Sequence, residues 1–223
     1  MFKDYFDKFY IINLKERTDR LESITNLLSV LDIINYKIIT PIPADNIKEY
    51  LKFNTKLTPS SMSCKLAHMS CIEDAINNNY NKIFIFEDDA VFNQEDSSIL
   101  ENIEFHLNEC ISFLNNNAWD VFYFDNIKYI HKDSNNVVIK IDRFKDLLKI
   151  KQTYHKTFAH SYAINKSIFI QLLLEHRRYD RRNDNTLKLL AAKKYFYVPG
   201  IFDQKLLYST DNVWNYSEIT TKN

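Results

Sequence analysis

The run Ile83-Phe84-Ile85-Phe86 is apolar at every position and ends directly on Glu87-Asp88-Asp89. A strand that is apolar at odd and even positions alike must be covered on both faces, which in a single sheet means helices above and below. Phe9-Tyr10-Ile11-Ile12-Asn13-Leu14 makes the same demand near the start of the chain. Between such runs lie segments of helical period. Leu21, Ile24, Leu27, Leu28 and Leu31 follow Thr18 and Asp19, either of which can cap a helix. Thr58-Pro59 opens a second helix with Pro at its first position and Met62, Leu66, Met69, Ile72 and Ile76 on one stripe. Further strands are expected at 36–40, 121–124, 137–141, 161–164 and 195–198, and further helices over 98–114 and 166–177. This alternation predicts an α/β, Rossmann-like fold, a single domain over 1–223 with a mainly parallel central sheet flanked by helices.

Composition narrows the chemistry. Gly200 is the one glycine among 223 residues. Neither the Walker loop nor the dinucleotide fingerprint can be written with one glycine, so both are excluded. Turns that need positive φ fall to Asn or Asp, and runs such as Asn77-Asn78-Asn79 and Asn115-Asn116-Asn117 supply them. Lys and Arg total 29 against 29 Asp and Glu, so no overall field attracts a nucleic acid. The longest apolar runs fall well short of the roughly 20 residues that cross a bilayer, which predicts no transmembrane segment and a soluble protein. Met1-Phe2-Lys3-Asp4-Tyr5 carries an acid early and does not read as a signal peptide, so a cytoplasmic enzyme of bacterial or large-virus type is expected. Three cysteines, Cys64, Cys71 and Cys110, argue against a disulfide framework or a zinc site.

Ligands of open α/β sheets bind beyond the carboxyl ends of the strands, which directs attention to Glu87-Asp88-Asp89. Three successive acids repel one another unless a positive charge sits between them. A hard cation, Mg²⁺ or Mn²⁺, prefers carboxylate oxygens and keeps positions open for phosphate. Strand alternation would place Glu87 and Asp89 on one side and Asp88 on the other. The competing reading is a solvated strand end.

Several blocks in order carry a resemblance. They are Ile12-Asn13-Leu14 with Arg17, Asp19 and Arg20; Leu57-Thr58-Pro59 with Cys64 to His68; Ile85-Phe86-Glu87-Asp88-Asp89-Ala90-Val91-Phe92; Asp120 to Phe124; His160-Ser161-Tyr162-Ala163-Ile164; and Pro199 with Gln204 and Ser209. Over nearly its whole length the chain resembles glycosyltransferase family 25, which includes lipooligosaccharide and collagen galactosyltransferases. The resemblance implies a GT-A type fold and metal-dependent, inverting transfer of a hexose, galactose or glucose, from a UDP-sugar to a glycan, glycolipid or protein acceptor. It makes Glu87 and Asp89 the ligands of Mn²⁺ or Mg²⁺, with Asp88 between them among the cofactor-binding residues.

By the same resemblance Ile12, Asn13 and Leu14 are candidates for uracil contacts, and Arg17 and Arg20 for the diphosphate, which a planar guanidinium fork suits. On the residues alone both arginines could equally lie on a helix surface and pair with Glu16 or Glu22. His68 stands where the family carries a Ser-His pair, here preceded by Ala67, and is read either as a ligand contact or as a core histidine. Asn46, in Pro43-Ala44-Asp45-Asn46, stands where the family tends to have a glycine and can adopt the same left-handed conformation. Inverting transfer needs a carboxylate base. Family position favours Asp184, with Asp180 as runner-up, beside an arginine-rich stretch, 177–182, that reads as a solvated loop or as a receiver of charged groups. His160 and Tyr162 fall on the acceptor side. Asp125, with Asn126, ends a strand where sugar hydroxyls could be read. Trp119 and Trp214 are assigned to packing. A catalytically silent relative that binds a nucleotide sugar or glycan is the alternative from another class. A metal-dependent phosphotransfer or nucleotidyl enzyme would share the acids but not the His160 and Pro199 blocks.

Overall fold

A computed structural model describes residues 2–47, 57–94, 96–125, 144–146 and 159–205. The strand expected at 137–141, Asn126, Ser209 and Trp214 lie outside the described residues. In chain order the elements are α1 (Phe2–Tyr5), β1 (Lys8–Ile12), α2 (Thr18–Val30), β2 (Tyr36–Ile39), α3 (Ala44–Ile47), α4 (Pro59–Asn77), β3 (Lys82–Glu87) and β4 (Ala90–Phe92). There follow α5 (Ser97–Glu101), α6 (Ile103–Asn116), β5 (Val121–Tyr123), β6 (Phe144–Asp146), β7 (Ser161–Asn165), a 3₁₀ turn (Lys166–Ile168), α7 (Phe169–Arg178), α8 (Asn183–Leu189), β8 (Lys194–Tyr197) and β9 (Phe202–Gln204).

The main sheet has the order β2-β1-β3-β7-β5-β8-β6. β1, β2, β3, β5 and β8 share one direction, whereas β7 and β6 run against them. The α/β architecture and its mainly parallel sheet are therefore as expected, with the reversed β7 inserted between β3 and β5. A two-stranded ribbon, β4 with β9, stands apart from it.

The apolar strands are indeed covered twice. Phe9, Ile11, Phe84, Phe86, Phe122 and Phe124 face α2 and α6, while Tyr10, Ile12, Ile83, Ile85, Val121 and Tyr123 face α4, α7 and α8. On the first face phenylalanine rings meet at 4.4 Å (Phe84 and Phe86) and 5.0 Å (Phe84 and Phe124). Such pairs add attraction beyond the area they bury.

Helix ends show how a chain with one glycine turns. Asp32 (φ 54°) follows α2 and Asn79 (φ 57°) follows α4. Each closes a Schellman cap: Ile33 N donates to Leu28 O and Tyr80 N to Ala75 O, both at 2.9 Å. Gly200, at φ 100°, lies outside the narrow well that Asn and Asp tolerate, and there the glycine is required. Asn46 is not left-handed but helical, within α3.

Other expectations shift in detail. The N-cap of α2 is Arg17 rather than Thr18 or Asp19. For α4, the Thr58 hydroxyl accepts from Ser61 N at 3.2 Å, and Pro59 begins the helix. The helix expected over 98–114 is broken at Asn102 (φ −121°, ψ 32°) into α5 and α6. α8 and the β4–β9 ribbon were not foreseen. Lys194, buried in β8, fixes the end of α8 by donating to the carbonyls of Leu187, Lys188 and Leu190 at 3.1, 2.7 and 2.8 Å. No helix among the described residues is long and apolar enough to cross a membrane.

Candidate functional site

The period of two along β3 sorts the acids. Ile83 and Ile85 face α4, so Glu87 emerges on that side, and Asp88 leaves on the side of α2. Asp88 N donates to Ile12 O at 3.1 Å, which seats the acids beside the end of β1.

Asp88 is fully engaged within the protein. Asn13 Nδ2 donates to its Oδ2 at 2.8 Å and Arg20 Nη1 to its Oδ1 at 2.9 Å, all three side chains being buried. Arg20 is thus not a surface arginine: one turn into α2, it reaches inward to the triplet. Arg17 forks onto Asp19, at 3.0 and 2.8 Å. Ile12 is buried, and Leu14 is half-buried at the turn that Arg17 N closes.

Glu87 faces a different set. His68 Nε2 lies 2.9 Å from its Oε1, and Cys64 Sγ lies 3.8 Å from the same oxygen. Cys64 and His68 are four apart on α4 and so share one face. His68 Nδ1 is 2.8 Å from the Tyr162 hydroxyl, which Asn183 Nδ2 approaches at 3.3 Å. Complete burial drops the His68 pKa to about 3, so its ring is neutral. Burial also holds the Tyr162 hydroxyl protonated. One proton arrangement satisfies the chain: Asn183 donates to Tyr162, Tyr162 to His68 Nδ1, and His68 Nε2–H to Glu87. His68 is therefore both core-buried and in contact with the acid.

Asp89 meets β9. Gln204 Nε2, from β9, donates to its Oδ2 at 2.8 Å, while Oδ1 is buried with no hydrogen-bond partner among the described residues. Burial, reinforced by the charges of Glu87 and Asp88, raises the Asp89 pKa to about 7. A carboxyl in that state carries its proton over much of the range below neutrality, and a cation bound there would displace that proton to solvent. The charge of Glu87 is felt at Asp89.

Asp125 is completely buried, accepts from the Ser161 hydroxyl and lies 3.2 Å from His160 Nε2. Burial raises its pKa well above the ordinary range and lowers that of His160 to about 3, so this pair is neutral. Asp125 has no exposed surface among the described residues. Asp184 sits in the first turn of α8, partly exposed, and its charge is felt at His68 and Tyr123. Asp180 is exposed and acts electrostatically on Lys65, which donates to Tyr179 O at 2.8 Å. Arg178 and Arg181 lie over the Tyr179 ring, and Arg177 pairs with Glu73. Trp119 is buried, as its assignment to packing requires.

The structure thus brings together Glu87, Asp88, Asp89, Asn13, Arg20 and His68. Sequence reasoning left Cys64, Asn183 and Gln204 out of the site. The four-residue spacing of Cys64 and His68 on one helix was a usable signal for the first, and the block of Pro199 with Gln204 for the last; nothing local signals Asn183.

A family model described as glycosyltransferase family 25 (LPS biosynthesis protein) matches residues 6–186. A search of curated proteins finds no significant match. Among solved structures, a glycosyltransferase involved in glycosylation of the major capsid of PBCV-1 aligns at 8% identity and TM-score 0.48, covering 89% of this chain and 92% of that one. A putative glucose-1-phosphate thymidylyltransferase from Bacillus anthracis aligns at 12% identity and TM-score 0.44, covering 88% and 89%. A197 from STIV aligns at 13% identity and TM-score 0.38, covering 85% and 80%.

Proposed function

Because this chain belongs to glycosyltransferase family 25, and is on that ground a glycosyltransferase, we propose that it moves a hexose from a UDP-sugar to an acceptor hydroxyl with inversion, using a divalent cation. The observation that carries the metal-dependent reading is Asp89: a buried carboxyl with one unpartnered oxygen and a pKa raised to about 7, within the electrostatic reach of Glu87. Glu87 and Asp89 would hold Mn²⁺ or Mg²⁺, which when bound supplies positive charge against the departing diphosphate.

The chain's own residues do the rest. Asp88, pinned by Asn13 and Arg20, anchors the turn that presents its two neighbours. Ile12 and Leu14 offer apolar contact to uracil at the end of β1. Arg17, on the part-exposed turn before α2, exchanges Asp19 for diphosphate oxygens. Asp184 takes the proton of the acceptor hydroxyl as the new bond forms, and α8, tied down by Lys194, sets its position. Galactose or glucose is the donor sugar, and a glycan, glycolipid or protein the acceptor.

Release of UDP from a panel of UDP-, GDP- and dTDP-sugars, with Mn²⁺ and with EDTA, tests this reading. UDP release from UDP-galactose or UDP-glucose that EDTA abolishes is expected. Release from GDP-sugars alone would overturn the uridine assignment, and release from no donor would favour the silent, sugar-binding relative.

A further inference from the structure

The contacts around Glu87 are unlike those around Asp89. A site for a hard cation is built from oxygen, yet Glu87 faces a thiol and an imidazole. Cys64 Sγ, His68 Nε2 and a Glu87 carboxylate oxygen all lie within 4.8 Å of one another. Two of the ligands come from successive turns of one helix face and the third from a strand end whose backbone is fixed, Glu87 N donating to His160 O at 2.8 Å. A zinc-type ion bound by sulfur, nitrogen and oxygen holds its ligand atoms about 3.3–3.5 Å apart. The 3.8 Å and 2.9 Å separations here bracket that value.

A second observation points the same way. Histidines that ligate metals are oriented through their other ring nitrogen, and His68 Nδ1 already meets the Tyr162 hydroxyl at 2.8 Å. Behind Tyr162 stands Asn183, buried, whose Oδ1 has no hydrogen bond of normal geometry among the described residues. His176 also engages that side chain, and its neutral ring can accept from the amide once the amide has turned.

We infer that Cys64, His68 and Glu87 form a second cation site, of the borderline class that includes Zn²⁺ and Co²⁺, sharing Glu87 with the carboxylate pair. Coordination sends the Cys64 thiol proton to solvent and moves the imidazole proton of His68 from Nε2 to Nδ1, where the Tyr162 oxygen accepts it. The Tyr162 O–H then turns to Asn183 Oδ1 after a half-turn of the amide. The half-buried Cys64 and Glu87 leave the fourth position to water or an incoming ligand. The existence of the site is independent of the transferase chemistry. Its effect on turnover rests on the Glu87 and Asp89 reading above, because an ion held on the α4 side occupies a ligand both sites need.

Co²⁺ titration of the whole chain, followed by absorption, reads the site directly, with Mn²⁺ binding by electron paramagnetic resonance as the second channel. One equivalent of Co²⁺ is expected to give a thiolate-to-metal charge-transfer band. Cys64→Ser should abolish the band and weaken Zn²⁺ more than about tenfold while leaving Mn²⁺ binding intact. Asp89→Asn should do the reverse, and Glu87→Gln should weaken both. No band in the wild type, or an unchanged band in Cys64→Ser, overturns the inference. Unchanged Mn²⁺ binding in Asp89→Asn, with the Co²⁺ band present, would sink the carboxylate reading and leave this site standing.

Discussion

Asp88 and Asp89 are neighbours in sequence and almost equally hidden, 8% and 5% exposed, yet their surroundings are opposite. Both oxygens of Asp88 are bonded, by Asn13 and by Arg20. Asp89 has one oxygen on Gln204, one with no partner among the described residues, and a pKa near 7. The difference teaches that a buried acid matched by its own chain serves as framework, whereas an unmatched one holds its proton to higher pH, the property on which the proposed cation site rests. In a run of three acids, only the partners tell which is which.

The contrast is broken most forcefully at Asp89. Asp89→Asn should lower metal-dependent turnover about a thousandfold or more, a loss of about 4 kcal/mol of transition-state stabilisation, while the melting temperature holds. Activity measured beside thermal melting decides it, and near-normal turnover would return Asp89 to the framework. Arg20→Met should act on stability instead, costing about 3 kcal/mol because it leaves the Asp88 charge buried and unpaired. Denaturant unfolding would show this, and Arg20→Met combined with Asp88→Leu should recover most of it.

A smaller effect concerns pH. Folded Asp89 holds its proton up to about pH 7, against an ordinary value of 3.8, so the folded chain keeps a proton that the unfolded chain has released. The contribution of Asp89 to the stability of the metal-free protein should therefore be greatest below about pH 4, fall by about 4 kcal/mol as pH rises through 7, and level off above it. Asp89→Asn should flatten that slope, and an equal slope in the variant would assign it to another group. The mildest test is Tyr162→Phe, which removes the hydroxyl that orients His68. Mn²⁺-dependent kcat is expected to drop up to about tenfold with little change in melting temperature, measured as UDP release at saturating donor.

Much of this architecture was legible from local pattern. β1 and β3 announce themselves by apolarity at every position, and Thr58-Pro59 marks the start of α4 as its cap and first-turn proline demand. The shortage of glycine correctly pointed to Asn and Asp as left-handed residues, and Asn79 lies in one of the runs singled out for that reason. Asn46 escaped the rule because a helical turn absorbed it. The direction of β7 could not be read, since orientation depends on neighbours far along the chain and not on the strand's own residues. Nor could the burial of Arg20: an arginine on a helix reads as solvated until its partner, 68 residues away, is in place. α8 was missed because seven residues, polar at the start, carry too little periodicity to stand out. The full burial of Asp125, two residues beyond β5, was likewise illegible, since its partners Ser161 and Phe202 come from much later in the chain.

The reversed strand at the middle of the sheet has a consequence for how the molecule comes into being. β3 and β5 share no hydrogen bonds with each other; each pairs with β7, which the ribosome delivers only at residues 161–165. A chain that stopped short of β7 would leave the edge of β3 open and β5 without a paired neighbour, because its other partner, β8, comes later still. The same late segment brings Ser161 and Tyr162, so the two halves are stitched and the pocket is furnished in a single event. A protein truncated before that point should be an aggregating fragment rather than a weakened enzyme.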